Sequence, residues 1–285
     1  MMAVMFAVME VVAVAGSNVA AGVATRRSSA VATLLAASPV ALAVVVIPLV
    51  MVGSNWSVKS TLLGAMAGLA GGLGLLIAYR ALAGGSIGVV IPIITSITTV
   101  AVAVFGSWLN GSPPVMTWVG AALCVLAVTI LSRGGPGVII HRLDITRDSP
   151  VRSLALSLGA GIGFASFVLL VSEVESESKL AALLTARAFV LFTALLAALS
   201  LRPWIGALRS AGVAAVVAGI LDGVGTLLLL AALEGLSVVV VGVLAASGPA
   251  VAAVLSWFVL SERLTRSQLV GITIAFCGGS IAVMS

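Results

Sequence analysis

The chain has 285 residues, of which 61% are hydrophobic and only 8% are charged, with a formal net charge of +5. This composition leaves too little polar surface to cover a soluble globule of that size, so we expect an integral membrane protein. In a soluble chain the positive charge would suggest nucleic acid. Here the positions of the charges indicate membrane topology instead, and no nucleic-acid partner is expected.

Ten apolar segments fill nearly the whole chain. Each has about 18 to 25 residues, which at about 1.5 Å of helical rise per residue matches a hydrocarbon core of about 30 Å. The segments are therefore predicted to be membrane-spanning helices, and every connection is short except residues 134–150. In chain order the predicted spans are 3–25, 28–52, 60–83, 86–108, 114–133, 151–172, 179–200, 208–233, 236–260 and 266–284.

The basic residues indicate the orientation of these spans. Most of the 14 Lys and Arg residues lie in or beside alternate connections. By the positive-inside rule these connections are cytoplasmic, which predicts both termini outside, in the inner (plasma) membrane of a bacterial cell. The residues of this set are Arg26, Arg27, Arg80, Arg133, Arg142, Arg147, Arg152, Arg202, Arg209, Arg263 and Arg266.

The two halves of the chain are related by an internal repeat. Five spans per half is an odd number, so the second copy must enter the membrane in the opposite direction, as in the inverted repeats of many secondary transporters. The predicted organisation is a first five-helix repeat at 1–133, a cytoplasmic linker at 134–150 and a second five-helix repeat at 151–285. Glycines that coincide after a shift of 151 residues, and that permit close helix packing, are Gly68 with Gly219, Gly72 with Gly223 and Gly74 with Gly225.

Several motifs carry a family resemblance. In the second half they are Ala232-Leu233, Ser247-Gly248-Pro249, Leu260-Ser261-Glu262-Arg263-Leu264 and Gln268-Leu269-Val270-Gly271; in the first half, more weakly, Tyr79-Arg80-Ala81-Leu82 and Trp118-Val119-Gly120. These motifs resemble those of the EamA-type, ten-helix members of the drug/metabolite transporter superfamily. The resemblance implies a carrier for small metabolites, often amino-acid-like compounds, and usually an exporter driven by the proton gradient or by exchange.

Glu10 is an acidic residue about two turns into the first span. Charge within a span costs about 3 kcal/mol or more, so Glu10 indicates a polar cavity or pathway. It looks like the first-helix glutamate of the small multidrug transporters in the same superfamily. Its carboxyl group can hold a proton or a cationic substrate but not both, which suffices for antiport; Ser17, on the same helix face, and the adjacent Asn18 are candidate hydrogen-bonding partners of the substrate. The alternative is that Glu10 extends to the outer interface.

Arg187 and Asp222 are charged residues well inside the seventh and eighth spans. Counted from the outer ends, they and Glu10 lie roughly 10 to 16 Å deep, so one cavity could contain all three. One interpretation is a zwitterion site in which Arg187 faces a substrate carboxylate. The other is a closed Arg187–Asp222 ion pair that fixes helix packing, and the family's second half commonly has Arg at the position that resembles Arg187.

Three further residues are candidates for the substrate site. Ser96 and Ser247 lie beside Pro92 and Pro249, which remove backbone hydrogen bonds from the fourth and ninth spans. Tyr79 lies near the cytoplasmic end of the third span. The alternative for the hydroxyl groups is that they bond back to the preceding turn of their own helix.

No residue pattern indicates an enzyme. The sequence has no phosphate-binding Gly-Lys-Ser/Thr loop and no cluster of metal ligands, and its one histidine, His141, lies in the linker. We therefore expect no catalytic residue, no metal and no cofactor. The preferred hypothesis is a monomeric secondary transporter that exports amino acids or related small metabolites by alternating access with proton antiport, in contact with membrane lipids. The alternatives are an exchanger or uniporter without proton coupling, and a non-transporting membrane scaffold or sensor.

Overall fold

The protein is a bundle of α-helices. The computed structural model describes residues 1–84, 87–111, 113–133, 150–200, 205–260 and 266–284, so the predicted linker lies outside the described residues apart from Pro150. These residues contain eleven α-helices, a short 3-10 turn at Ser176–Ser178 and no strand. The helices are α1 (Met2–Arg27), α2 (Ala30–Val52), α3 (Val58–Gly84), α4 (Ile87–Asn110), α5 (Val115–Arg133), α6 (Pro150–Ser172), α7 (Lys179–Ser200), α8 (Ile205–Ala232), α9 (Val238–Ala245), α10 (Gly248–Leu260) and α11 (Arg266–Met284).

The helices have the length and composition of membrane spans. Among the described residues, seven segments are long and apolar enough to cross a membrane, and three shorter apolar helical segments lie at Val115–Ile130, Val238–Ala252 and Leu269–Ile281. Lipid offers no hydrogen bonds, so backbone N–H and C=O groups must pair within each span, and a helix achieves this. The prediction of an all-helical, multi-pass membrane protein is confirmed.

The ninth predicted span is two helices rather than one. After α9, the N–H of Ala246 bonds to Gly242 O (3.3 Å) and Val243 O (3.2 Å), and the N–H of Ser247 bonds to Leu244 O (2.9 Å). This tight turn precedes α10, and Pro249 lies in the first turn of α10, where its missing N–H removes no helical bond. Pro92, by contrast, lies inside α4 beyond its first turn, where its missing N–H does remove a helical bond, and α4 continues through it.

Connections that are predicted to lie outside meet at one end of the bundle. Ser54 Oγ, just after α2, donates to Glu177 O (2.9 Å), and Asn55 Nδ2 donates to Glu177 Oε2 (2.6 Å). Lys179 Nζ at the start of α7 lies 2.7 Å from Glu234 Oε1 after α8. The α2–α3, α6–α7 and α8–α9 connections therefore lie on the same side, as alternate crossings require.

Helices of the first half of the chain pack mainly against helices of the second half. The extensive contacts are α1 with α8 and α3 with α6, then α2 with α8 and α3 with α7, with α2 against α7 and α5 against α11. Where α3 meets α7, a Cβ on Gly68 would overlap the carbonyl of Ala186; where α8 meets α2, a Cβ on Gly219 would overlap the carbonyl of Ala37. Glycine at these two positions lets the backbones touch. This close packing leaves a space between α1, α3, α4, α6 and α8.

Candidate functional site

A cavity of about 180 Å³ lies in the middle of the bundle. Its wall comes from both halves of the chain: α1, α3 and α4 on one side, and α6, α7, α8 and the end of α9 on the other. Most of the wall is aliphatic, with aromatic and polar side chains at defined places. The polar and aromatic residues in the wall are Glu10, Ser17, Asn18, Thr95, Thr98, Thr99, Phe164, Phe167, Arg187, Asp222 and Thr226.

Glu10 lies in the cavity wall and not at an exposed surface. Its residue is 8% exposed, and Oε2 is buried without a hydrogen-bond partner among the described residues. Gly225 of α8 lies against Val14, and Leu221 lies against Gly16. Asp222 is therefore beside the turn at Gly16, about 9 Å from Glu10 along α1 at about 1.5 Å per residue. The two acids face the cavity at different depths.

Arg187 is bound to α8 through three groups. One terminal nitrogen donates to Asp222 Oδ2; the other donates to Thr226 Oγ1 and to Asp222 O, the latter at 3.1 Å. The Arg187 side chain is only 4% exposed, whereas that of Asp222 is 24% exposed. Thr226 Oγ1 also donates to Asp222 O (2.7 Å), which completes a compact cluster. The ion pair is closed in this structure, and Asp222 is its member with more exposed surface.

Two phenylalanine rings form the opposite, apolar side of the cavity. Phe167 lies over Gly71 of α3, where an added Cβ would be 2.9 Å from its Cδ2. Phe164 lies over Gly74, where an added Cβ would be 3.2 Å from its Cδ1. The glycines on α3 therefore make room for the rings, and the cavity has a charged side at α1, α7 and α8 and an aromatic side at α6.

The half of the chain that supplies Arg187, Asp222 and Thr226 is similar to a known protein family. Residues 151–284 match the EamA-like transporter family. The second half of the chain is therefore similar to an EamA-like domain. The resemblance that the sequence motifs carried is confirmed, and the match indicates a membrane transporter of the drug/metabolite type and not an enzyme. Arg187, Asp222 and Thr226 lie within the EamA-like half, whereas Glu10 lies outside it.

Solved structures support the fold across both halves. A crystal structure titled "Crystal structure of protein" superposes with a TM-score of 0.74 at 16% sequence identity, over 99% of this chain and 96% of that chain. At this identity the likeness concerns the fold alone, and it extends well beyond the EamA-like half. No curated protein matches the chain.

The predicted site residues divide into two groups. Glu10, Ser17, Asn18, Arg187 and Asp222 line the cavity. Three others are not among the residues of its wall. Tyr79 is 3% exposed within the hydrophobic core, near enough to Asp222 and Arg187 to interact with their charges; Ser247 Oγ donates to Leu244 O (2.7 Å) at the α9–α10 turn; Ser96 is half-buried on α4.

The aromatic side of the cavity was not predicted from the sequence, nor were Thr98 and Thr99. Thr95, Thr98 and Thr99 are spaced as i, i+3 and i+4, which places them on one face of α4, and this spacing was an available signal. Phe164 and Phe167 of the EamA-like half share a face in the same way, but their neighbours are also apolar. Among the residues that the structure describes, no group of three or more His, Cys, Asp or Glu side chains is placed to hold a metal ion.

Proposed function

We propose that the protein is a secondary carrier that exports small metabolites, amino acids or related compounds, by alternating access coupled to proton antiport. The observation that carries the proposal is the cavity in mid-bundle, which contains a buried carboxylate and is bounded by both halves of the chain. A scaffold has no need of such a cavity. Because its wall is complete within one chain, we propose that a monomer suffices.

The packing supports an inverted-repeat carrier. In an inverted repeat, α1, α2 and α3 of the first half correspond to α6, α7 and α8 of the second. The α1–α8 contact then corresponds to α6–α3, and the α3–α7 contact corresponds to α8–α2. The structure contains all four of these contacts. The shift of 151 residues also relates lining residues, since Gly71 corresponds to Asp222 and Leu75 to Thr226. A cavity on such a pseudo-symmetry axis can be sealed by either half in turn.

The size of the cavity favours a small substrate. Its volume of about 180 Å³ is near the roughly 150 Å³ of an engineered protein cavity that binds benzene, and below the roughly 300–1,000 Å³ of pockets for drug-sized ligands. A compound with about six to ten non-hydrogen atoms fits this space. Amino acids and related amines fall in this range.

Glu10 is the proposed coupling residue. Its unpartnered Oε2 can be satisfied either by a bound proton or by a donor group of the substrate. Mutually exclusive occupancy of one carboxylate links the inward movement of protons to the outward movement of substrate. Asp222 is less suited to this role because Arg187 already compensates its charge.

We expect Glu10→Gln to abolish proton-driven transport, by at least about tenfold, while substrate exchange is retained, since the amide keeps the shape of the side chain but cannot take up and release a proton. The measurement is uptake of a panel of radiolabelled amino acids and amines into proteoliposomes, with and without an imposed pH difference. Glu173→Gln is the matched control, because Glu173 is exposed and lies outside the cavity. Driven uptake unchanged by Glu10→Gln would instead support an exchanger or uniporter.

We also propose that both termini lie outside, so the loop at Ser176 faces the periplasmic side and the start of α8 faces the cytoplasm. In a chain with Cys124→Ala and Cys277→Ala, Ser176→Cys should react with a membrane-impermeant maleimide in intact spheroplasts. Gly206→Cys should react only after lysis; both sites are exposed. The reverse pattern would reverse the orientation.

A further inference from the structure

The hydroxyl groups in the cavity wall already donate hydrogen bonds within the protein. Each donates to a main-chain carbonyl, and a hydroxyl group has one proton to donate and two lone pairs. Toward an occupant these groups are therefore hydrogen-bond acceptors. The bonds are Ser17 Oγ to Ala218 O (2.9 Å), Thr95 Oγ1 to Ile91 O (2.9 Å), Thr98 Oγ1 to Ile94 O (3.0 Å), Thr99 Oγ1 to Gly242 O (3.2 Å) and Thr226 Oγ1 to Asp222 O (2.7 Å).

Arg187 is already largely engaged by α8 and is a poor docking group for an anion. Both of its terminal nitrogens donate to Asp222 or Thr226, and these bonds use three of the five N–H groups of the guanidinium. Its Nε has no partner among the described residues, but the Arg187 side chain is only 4% exposed against 24% for Asp222, so the carboxylate is the member of the pair that presents more surface to an occupant. A substrate carboxylate would have to displace Asp222 from the guanidinium and leave that acid unpaired.

The remaining polar groups are mainly acceptors as well. Glu10 and Asp222 contribute carboxylate oxygens, and Oε2 of Glu10 has no partner among the described residues. The side-chain amide of Asn18 is a donor that makes no hydrogen bond to a described residue. With Arg187 compensating Asp222, the described wall carries one uncompensated negative charge once Glu10 has released its proton.

We propose that this cavity selects a singly charged primary amine with a compact apolar body, and discriminates against the α-amino acid that bears the same side chain. The inference rests on the proposed carrier function and specifies its substrate class. An ammonium group supplies three donors and no acceptor, which complements an acceptor-rich wall. Phe164 and Phe167 provide the surface for the apolar body and, for a cation over a ring face, an additional attraction.

The carboxylate of an amino acid would find few hydrogen-bond donors in this cavity wall. Its oxygens need several donors, and a buried charged group without them is costly. The described wall offers the Asn18 amide. We therefore expect the amine to bind roughly tenfold to a hundredfold more tightly than its amino acid, the range set by one unmet hydrogen bond to a charged group.

The test uses pairs of compounds that differ by a carboxylate alone and that all fit the size of the cavity: 3-methylbutylamine against leucine, and 2-methylpropylamine against valine. Dissociation constants are measured by isothermal titration calorimetry on the purified full-length chain. The expected result is tighter binding of each amine by about tenfold or more. Equal or tighter binding of the amino acids overturns the inference and leaves the carrier function intact.

Variants separate the two parts of the recognition. Glu10→Gln should weaken binding of the amine far more than that of the amino acid, whereas Phe167→Ala should weaken both members of a pair by a similar factor. Glu173→Gln is the control. If neither member of either pair binds, the inference is also overturned, and the carrier function then depends on the proteoliposome panel, whose complete failure would reject it separately.

Discussion

Arg187→Met is expected to cause the largest loss of stability of any single substitution in the cavity wall. The substitution removes the partner of Asp222 and leaves its carboxylate and the hydroxyl oxygen of Thr226 without their donor, while Asp222 O keeps the bond from Thr226 Oγ1. Removing one member of a buried ion pair costs about 3–5 kcal/mol. At about 2–4 °C per kcal/mol for a chain of this size, the apparent Tm in detergent should fall by roughly 10 °C.

Two further variants test whether the loss of charge pairing causes this fall in stability. Arg209→Met removes an equally long cation from an exposed position of α8 and should leave the apparent Tm nearly unchanged. The double variant Arg187→Met with Asp222→Leu should recover most of the loss, since an apolar pair leaves no uncompensated charge. If the double variant is as unstable as Arg187→Met, the cluster stabilises α7 against α8 by means other than charge pairing.

Gly219→Ala is expected to cause the second large loss of stability. A single added Cβ would overlap the carbonyl of Ala37, a main-chain atom of α2 that no rotamer change can move aside. Overpacking typically costs about 1–3 kcal/mol, and a clash with backbone belongs at the upper end. The two helices must separate, and thermal unfolding in detergent should report an apparent Tm lower by several degrees.

Gly206→Ala provides the matched control on the same helix. No atom lies within 4 Å of a Cβ placed at Gly206, so the substitution should be neutral or slightly stabilising. Gly68→Ala, which meets the carbonyl of Ala186, should resemble Gly219→Ala. A neutral Gly219→Ala would show that α2 and α8 can separate without loss, contrary to the packing described above.

The sequence predicted the spans well because hydropathy and length determine them directly. The predicted first span, 3–25, corresponds to Met2–Arg27, and the seventh, 179–200, to Lys179–Ser200. The sequence predicts the ninth as one segment at 236–260, although Pro249 lies within it. An apolar window does not reveal the break, since α9 and α10 are both apolar and the turn between them is short.

The charged part of the cavity was predictable for a related reason. Glu10, Arg187 and Asp222 are conspicuous because charge within a span is costly, and their depth follows from the helical rise. Phe164 and Phe167 were not predicted to face the cavity. In a span that is apolar on every side, periodicity does not distinguish a face toward lipid from a face toward a cavity, and only packing onto Gly71 and Gly74 decides it.

The closed Arg187–Asp222 pair has a consequence for the energy source of the proton antiport proposed above. With that pair neutral overall, Glu10 is the single charge in the described wall that an occupant must balance. One proton moving inward on Glu10 in exchange for one monovalent amine moving outward transfers no net charge across the membrane. Such an exchange is electroneutral: it responds to the pH difference and not to the membrane potential, so a cell that loses its voltage but keeps its pH gradient would still export.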